Sequence, residues 1–350
     1  MYPFILYGAN GYTAELIAEL AAKQGIKPLL SGRNAEKVAV VAKRFGLDYE
    51  VCSLDDTNAL NALLKKSSLF MNCAGPFMHT AETAAKACIA NKVHYLDITG
   101  EYVVFEKMKT LDAEAKAAGV MLLSGTGFDV VPSDCLTMHL KNRLPGATHL
   151  TLAFAALQGG MSRGTTKTTI EGMGYGGMIR KDGKLTNVPM GYKFAELDFG
   201  PYKSWAAVIP WGDISTAYTS TGIPNIEVFT ALKQKQISAL KWGDRLAPLL
   251  RMRVVKNYML KQVDKRKPGP DENRRNTTFC NFIGIATDAN GNRVESHQTT
   301  PEGYKLTAIT SFGIVQEILA GNFKPGYQTP ATVYGADFIL KFEGVTRTDV

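Results

Sequence analysis

The chain predicts an α/β fold: a doubly wound parallel sheet, a second and mixed α/β domain, and C-terminal helices that return to the first. Three observations predict it. Short apolar runs alternate with helical patterns from Met1 to Val131, the rhythm of a parallel sheet covered on both faces. The first run, Pro3-Phe4-Ile5-Leu6-Tyr7, feeds a glycine turn and then a helical pattern of Leu16, Ile17, Leu20 and Ala21. Glycines and polar residues recur where the runs end, and ligands on such sheets gather at the carboxyl ends of strands.

The first turn reads Gly8-Ala9-Asn10-Gly11-Tyr12-Thr13-Ala14. Strand, glycine turn and helix together are the context of a Rossmann-type dinucleotide site. Gly8 permits the tight turn. Gly11 removes a Cβ from the path of a pyrophosphate at the helix N-terminus, and Ala14 lets helix and strand pack closely. Gly8, Asn10, Gly11, Tyr12 and Thr13 are therefore cofactor-binding candidates.

The second run, Pro28-Leu29-Leu30-Ser31, ends in Gly32-Arg33-Asn34, with Lys37 one turn on. Folds that prefer NAD place an Asp or Glu here to hold the ribose 2′-hydroxyl. This chain offers Ser31, Arg33, Asn34 and Lys37 instead. A guanidinium pairs with a 2′-phosphate that a carboxylate would repel, so NADP(H) is favoured over NAD(H).

A third run, Tyr49–Cys52, ends in Ser53-Leu54-Asp55, a turn suited to flank the adenine, with Leu54 the candidate contact. The fourth, Leu69–Cys73, leads into Ala74-Gly75-Pro76-Phe77, and residues Cys73 to Phe77 are expected beside the nicotinamide ribose. Val93–Asp97 and Val120–Ser124 are the fifth and sixth runs. Helical patterns cover Glu36–Phe45, Asn58–Lys65, Thr80–Ala90 and Phe105–Ala118.

Beyond Pro132 a helix is expected to about Arg143, then a strand at Leu150–Ala155. Gly159 to Thr168 packs small, hydroxyl and cationic residues together and reads as a loop suited to a substrate oxyanion, with Ser162, Arg163 and Thr165 as substrate candidates beside Phe128. Gly172 to Gly177 reads as a loop or helix-packing site, and Tyr192 to Thr221 is rich in aromatics, Thr and Ile. Asn281–Ile285 and Asn292–Ser296 form a hairpin across Asn290-Gly291, because Asn-Gly favours the turn required. A helix at Lys305–Leu319, a turn at Gly321–Gly326 and a helix at Pro330–Phe342 complete the chain. The domains expected are 1–131, 132–303 and a returning segment, 304–350.

The 350 residues suffice for two domains with ample cores. The N-terminal apolar run has no basic region before it and serves as a strand, so no signal peptide is expected. No apolar stretch approaches membrane-spanning length. Five scattered cysteines without a C-x-x-C pair suit reduced thiols in a cytoplasmic protein, and the five dispersed histidines argue against a metal site.

Charge is unevenly spread. Lys233 to Arg275 holds thirteen Lys and Arg against four Asp and Glu, a net of +9 within an overall +8, so the remainder is −1. Ile237, Leu240, Leu246, Leu249, Leu250, Val254 and Tyr258 give this stretch helical spacing and predict a basic amphipathic helix ending before Pro268-Gly269-Pro270. It is either a solvated face or a surface for an acyl carrier protein, a phosphate-bearing substrate such as an acyl-CoA, or an anionic membrane. Nucleic acid is disfavoured, because no recognition motif accompanies the charge.

Gly8–Thr13, Ala74–Phe77, Tyr95–Glu101, Gly127–Asp134, Tyr304–Ala308 and Thr329–Ala331 resemble successive blocks of the saccharopine dehydrogenase-like oxidoreductases. The resemblance spans most of the chain and is strongest to the short bacterial members and the trans-acting enoyl reductases. It implies a dinucleotide-binding domain, a mixed second domain, C-terminal helices packed on the first, and a homodimer. Its members reduce either an amino-acid adduct or a carrier-bound double bond. Lys181 to Arg275 carries no motif tied to saccharopine.

Hydride transfer also needs a proton source. Tyr95, Asp97, Glu101 and Asp129 fall at neighbouring strand ends and are the catalytic candidates, although caps and first-turn helix residues look the same in sequence. None of the fourteen tyrosines has Lys four residues later, which excludes the Tyr/Lys mechanism of short-chain dehydrogenases. The expectation is an NADP(H)-dependent oxidoreductase acting on a C=N or C=C bond. The other reading is an NADPH-binding regulator or scaffold without turnover.

Overall fold

The computed structural model describes residues 1–156, 160–233, 236–237 and 243–350, with side chains from 246 onward in the last segment. The chain forms two compact units, Met1–Asp129 with Tyr304–Val333, and Val130–Gly303 with Tyr334–Val350.

The first unit opens with β1 (Ile5–Tyr7), α1 (Tyr12–Lys23), β2 (Leu29–Gly32), α2 (Ala35–Phe45), β3 (Tyr49–Val51) and α3 (Thr57–Leu64). It continues with β4 (Leu69–Asn72), α4 (Phe77–Ala90), β5 (His94–Asp97), α5 (Tyr102–Lys109), α6 (Asp112–Ala118) and β6 (Met121–Leu123). Strands β1, β2, β4, β5 and β6 are buried along their length except at His94, as expected of parallel strands covered on both faces. The expected single helix Phe105–Ala118 is instead α5 and α6. Thr110 Oγ1 donates to the Lys107 carbonyl at 2.7 Å, an alternative to the helical ladder that closes α5.

The second unit carries α7 (Val131–Arg143), β7 (Ala147–Ala155), α8 (Arg163–Gly172), β8 (Gly177–Lys181), β9 (Lys184–Val188), β10 (Phe194–Asp198) and β11 (Lys203–Val208). Then come α9 (Asp213–Thr221), β12 (Asn225–Ala231), α10 (Gly243–Arg251), α11 (Arg253–Val263), α12 (Glu272–Thr277), β13 (Phe279–Asp288) and β14 (Arg293–Pro301). The chain next forms α13 (Gly303–Leu319), β15 (Gly326–Gln328), α14 (Pro330–Tyr334) and β16 (Thr346–Asp349).

The first sheet has the order β15-β6-β5-β4-β1-β2-β3, and its pairs are parallel. β15, at the edge beside β6, begins where the turn expected at Gly321–Gly326 ends, and no strand was expected there. Gly326 ends that turn at φ +94, with Asp112 Oδ1 2.5 Å from where a Cβ would stand. α13 lies against Gly127, where a Cβ would come within 2.5 Å of Thr307 Cγ2. Phe128 N donates to Thr307 Oγ1 and Thr126 Oγ1 bonds Ser311 Oγ, fixing α13 behind β6.

The second sheet has the order β10-β11-β12-β7-β13-β14-β16, with β8 and β9 attached through β12. It is mixed, because β7 pairs parallel with β12 and antiparallel with β13. Ala153, Ala155, Ile179, Phe199, Val208, Phe229 and Ile283 build its core on one face. α7 packs closely on β13, since a Cβ at Gly284 would stand 2.5 Å from Leu140 Cδ1.

Three local expectations differ from what forms. Gly159 lies outside the described residues, but the expected loop through Thr168 is helical from Arg163, because Ser162 Oγ accepts from Thr165 N as an N-cap. From Gly243 to Tyr258 the expected basic helix is two helices, α10 and α11, separated at Met252, whose backbone is extended. Leu240 lies outside the described residues. The helix expected over Pro330–Phe342 stops at Tyr334 beside Gly335, whose φ is +82. A 3-10 turn at Phe338–Lys341 and β16 follow, and β16 pairs with β14. Residues Tyr334–Val350 thus group with the second unit, whereas the whole of 304–350 was expected to return to the first.

Candidate functional site

The site candidates of the first unit gather where β1 and β4 lie side by side and the strand order turns from β2 to β4. This is the crevice at which doubly wound sheets bind ligands. Gly8 sits at φ +75, and a Cβ there would lie 2.8 Å from Ala74 N. A side chain at this position would therefore part the β1 turn from the end of β4 as well as strain the backbone. A Cβ on Gly11 would lie 3.1 Å from the Gly8 carbonyl oxygen, so its absence also serves the turn's own closure. Gly11 is the N-cap of α1 and brings no side chain of its own to that end, which keeps the approach to the first turn open to an anion. Tyr12 and Thr13 open α1, and Tyr12 meets Tyr304 edge-on at 5.1 Å.

At the end of β2, Asn10 Oδ1 lies 3.4 Å from where a Cβ on Gly32 would stand. The glycine turn and the β2 end are thereby brought together. Arg33 and Lys37 are exposed. Asn34 is occupied as the α2 cap, accepting from Lys37 N at 2.9 Å. Ser31 is fully buried and its hydroxyl has no hydrogen-bond partner. Leu54 is buried beyond β3.

The β4 turn is held by Asn72, at the strand end where ligands are expected, and by Thr80, which sequence reasoning did not place in the site. Asn72 Oδ1 accepts from Ala74 N at 3.0 Å, and Thr80 Oγ1 donates to the Ala74 carbonyl at 2.7 Å. An Asn ending a buried strand just before a Gly-Pro turn was the available signal, because such a side chain readily binds the backbone two residues on. Gly75-Pro76 is a cis peptide. Cys73 is half-buried, and burial pushes its thiol well above the usual range, which marks an inert thiol.

The four catalytic candidates divide. Asp97 is fully buried and accepts four hydrogen bonds: from Tyr95 Oη (2.9 Å), Ser124 Oγ (2.8 Å), Thr99 N (3.0 Å) and Gly125 N (3.0 Å). Burial raises its pKa against the pull of these donors. Tyr95 is equally buried and also accepts from Asn72 Nδ2. Glu101 accepts from Phe77 N (2.9 Å) and Met78 N (3.3 Å), which caps α4 across the β4–α4 turn. Burial raises its pKa, while those two N–H groups act in the opposite sense.

Asp129 is different. It is half-buried, and its carboxyl fills the space that a side chain on Gly100 would need, with Oδ2 2.4 Å from the Cβ position. Burial first, and the Glu101 charge second, raise its pKa to about 7. Two interacting carboxyls at neighbouring strand ends thus leave one poised to be an acid near neutral pH.

Ser162, Arg163 and Thr165 belong to the second unit. Ser162 caps α8 and bonds Thr165, and Arg163 donates to the Arg266 carbonyl. Among the described residues, no group of three or more His, Cys, Asp or Glu could hold a metal ion. Nor is any described helix long and apolar enough to cross a membrane.

Residues 4–123 match the family model of the saccharopine dehydrogenase NADP-binding domain. The saccharopine dehydrogenase-like oxidoreductase of Rattus norvegicus is 28% identical over 212 residues, covering 53% of this chain and 49% of that protein. A Mycobacterium tuberculosis protein assigned as a trans-acting enoyl reductase is 28% identical over 183 residues, covering 49% of this chain and 44% of that protein. The chain spans about half the length of the curated relatives it matches. In fold it is similar to an apo, histidine-tagged saccharopine dehydrogenase (L-Glu forming) from Saccharomyces cerevisiae, with a TM-score of 0.68, 13% identity and 99% coverage of both chains. Residues 4–123 of the first unit therefore match a saccharopine dehydrogenase NADP-binding domain, in a chain that resembles the saccharopine dehydrogenase-like oxidoreductases.

Proposed function

We propose that this protein is an NADP(H)-dependent oxidoreductase that reduces a C=N or C=C bond, with Asp129 as the proton donor. One geometric observation carries the reading: the Asp129 carboxyl lies against Gly100 just beyond β5, where burial and the Glu101 charge push its pKa up to about 7. NADPH supplies the hydride in such chemistry. The N-terminus of α1, with Gly11 as its cap, and the Gly8 turn would hold the pyrophosphate. Arg33 and Lys37, with Ser31 beneath them, receive the 2′-phosphate, a placement supported by their exposure at the β2 end and by the unpartnered Ser31 hydroxyl. Asp129 gives its proton to the nitrogen of an imine or to the carbon of an enoyl group as hydride reaches the other atom. The proton then returns from solvent. Asp97 and Tyr95 are positioning residues that lock the β5 end, and Glu101 fixes the β4–α4 turn while its charge keeps Asp129 protonated.

The substrate class draws support from the relatives' names, which include both an oxidoreductase and an enoyl reductase. Deuterated NADPH incubated with the protein and cell extract tests the reading. Label transferred to a small molecule supports the enzyme and identifies its substrate. Tight NADPH binding with no transfer to any imine or enoyl acceptor would replace it with the regulator.

A further inference from the structure

The helices of the chain's most basic stretch leave an apolar ridge in solvent. Leu246, Leu249, Met252, Val254 and Tyr258 are 49%, 51%, 51%, 76% and 66% exposed. Apolar residues scattered singly over a surface are ordinary, but a contiguous run of them marks an interaction site. Leu246 and Leu249 are three apart on α10, and Val254 and Tyr258 four apart on α11, so each pair shares a helix face. Arg253, Asn257 and Lys261 form the adjoining row of α11 and are exposed as well. Over residues 243–263 the sequence holds five Lys and Arg and a single acid, Asp244.

The orientation of α11 is set from beneath. Lys256 and Val263 are buried. The Lys256 ammonium donates to the Glu171 carbonyl in the last turn of α8, where the helix dipole favours a cation, and stands 4.7 Å from the Tyr175 ring centre. Arg251 Nε donates to the Gly174 carbonyl at 2.7 Å, tying the end of α10 to the same support. With the inner face anchored, the Val254–Tyr258 row has to point outward.

We propose that α10 and α11 form a docking surface for an anionic lipid bilayer. Val254, Tyr258, Leu246, Leu249 and Met252 enter the boundary between headgroups and acyl chains, while Arg253, Lys261 and their neighbours reach lipid phosphates along their flexible stems. The charge pattern selects this occupant. A second copy packed on the same face would set the basic rows against each other. An acidic protein would satisfy the charges without requiring large apolar side chains held in water.

Flotation of the full chain with vesicles tests this, using phosphatidylcholine alone and phosphatidylcholine mixed with phosphatidylglycerol. The expected result is flotation with the anionic vesicles only, weakened by salt. Recovery should fall roughly tenfold or more in both Val254→Glu/Tyr258→Glu and Arg253→Glu/Lys261→Glu. Unchanged circular dichroism melts establish that both variants are folded. Failure of the wild type to float overturns the proposal. So does equal flotation of the Val254→Glu/Tyr258→Glu variant, or a dimer in sedimentation that this variant dissociates. Binding to an acidic carrier protein that depends on Arg253 and Lys261 but not on Val254 and Tyr258, with no flotation, gives the surface to a protein partner instead.

Discussion

Two carboxyls that follow neighbouring strands, Asp97 at the end of β5 and Asp129 beyond β6, show what environment does to one chemical group. Asp97 receives four donors in a closed pocket, whereas Asp129 is pressed into the missing side chain of Gly100 with Glu101 nearby. A buried acid whose folded pKa is raised contributes stability fully present below its unfolded pKa, near the ordinary aspartate value of 3.8, and lost as pH rises through about 7. Asp129→Asn should therefore lose less stability than the wild type on going from about pH 5 to about pH 8, as thermal melts would record. Reduction by the wild type should slow as pH rises past about 7, and the variant should lack that limb. An unaltered pH profile in the variant would remove Asp129 from proton transfer. At the β2 end, Arg33→Ala should weaken NADPH by roughly tenfold or more relative to NADH, measured by calorimetric titration. Equal losses for both nucleotides would reject the 2′-phosphate role.

Caps decide which elements exist and which side chains remain for ligands. Ser162 was legible as a polar residue in a Gly-rich run, but not as the start of α8, because its neighbours Arg163-Gly164-Thr165-Thr166 have little helical character alone. Packing of α8 against α11 supplies what propensity lacks, including the Lys256 contact at its carboxyl end. Ser162→Ala should cost about 1 kcal/mol of stability and leave the KM of an identified substrate unchanged. A changed KM at unchanged stability would return Ser162 to the substrate site. Glu101 was legible as an acid at a strand end, yet its partners Phe77 and Met78 are far away in sequence. Glu101→Ala would strand two N–H groups of α4 and should cost about 1–3 kcal/mol in denaturant unfolding.

At the scale of the whole molecule, each unit is closed by chain that arrives late. The first sheet is completed by β15 and backed by α13 through Thr307 and Ser311, and the second is bordered by β16 on β14. A fragment of residues 1–129 should therefore fail to melt cooperatively, whereas adding 304–333 through a linker should restore a cooperative melt and NADPH binding. Removing 334–350 should lower the melting temperature of the second unit and spare nucleotide affinity. Equal nucleotide affinity and cooperativity in 1–129 alone would show that the returning segment is dispensable.

The amino-acid sequence by itself determined the alternation of strands and helices in the first unit, the glycine turn, the absence of an acid after β2 and the Asn-Gly hairpin. These are local: periodicity and turn chemistry act within a few residues, so they can be read along the chain. Tertiary structure alone decided that β15 pairs with β6, that residues beyond Tyr334 join the second unit, and that Asp97 is saturated while Asp129 is set near neutrality. Each of those depends on groups distant in sequence meeting in space, where burial and the count of donors set the energy of a charge.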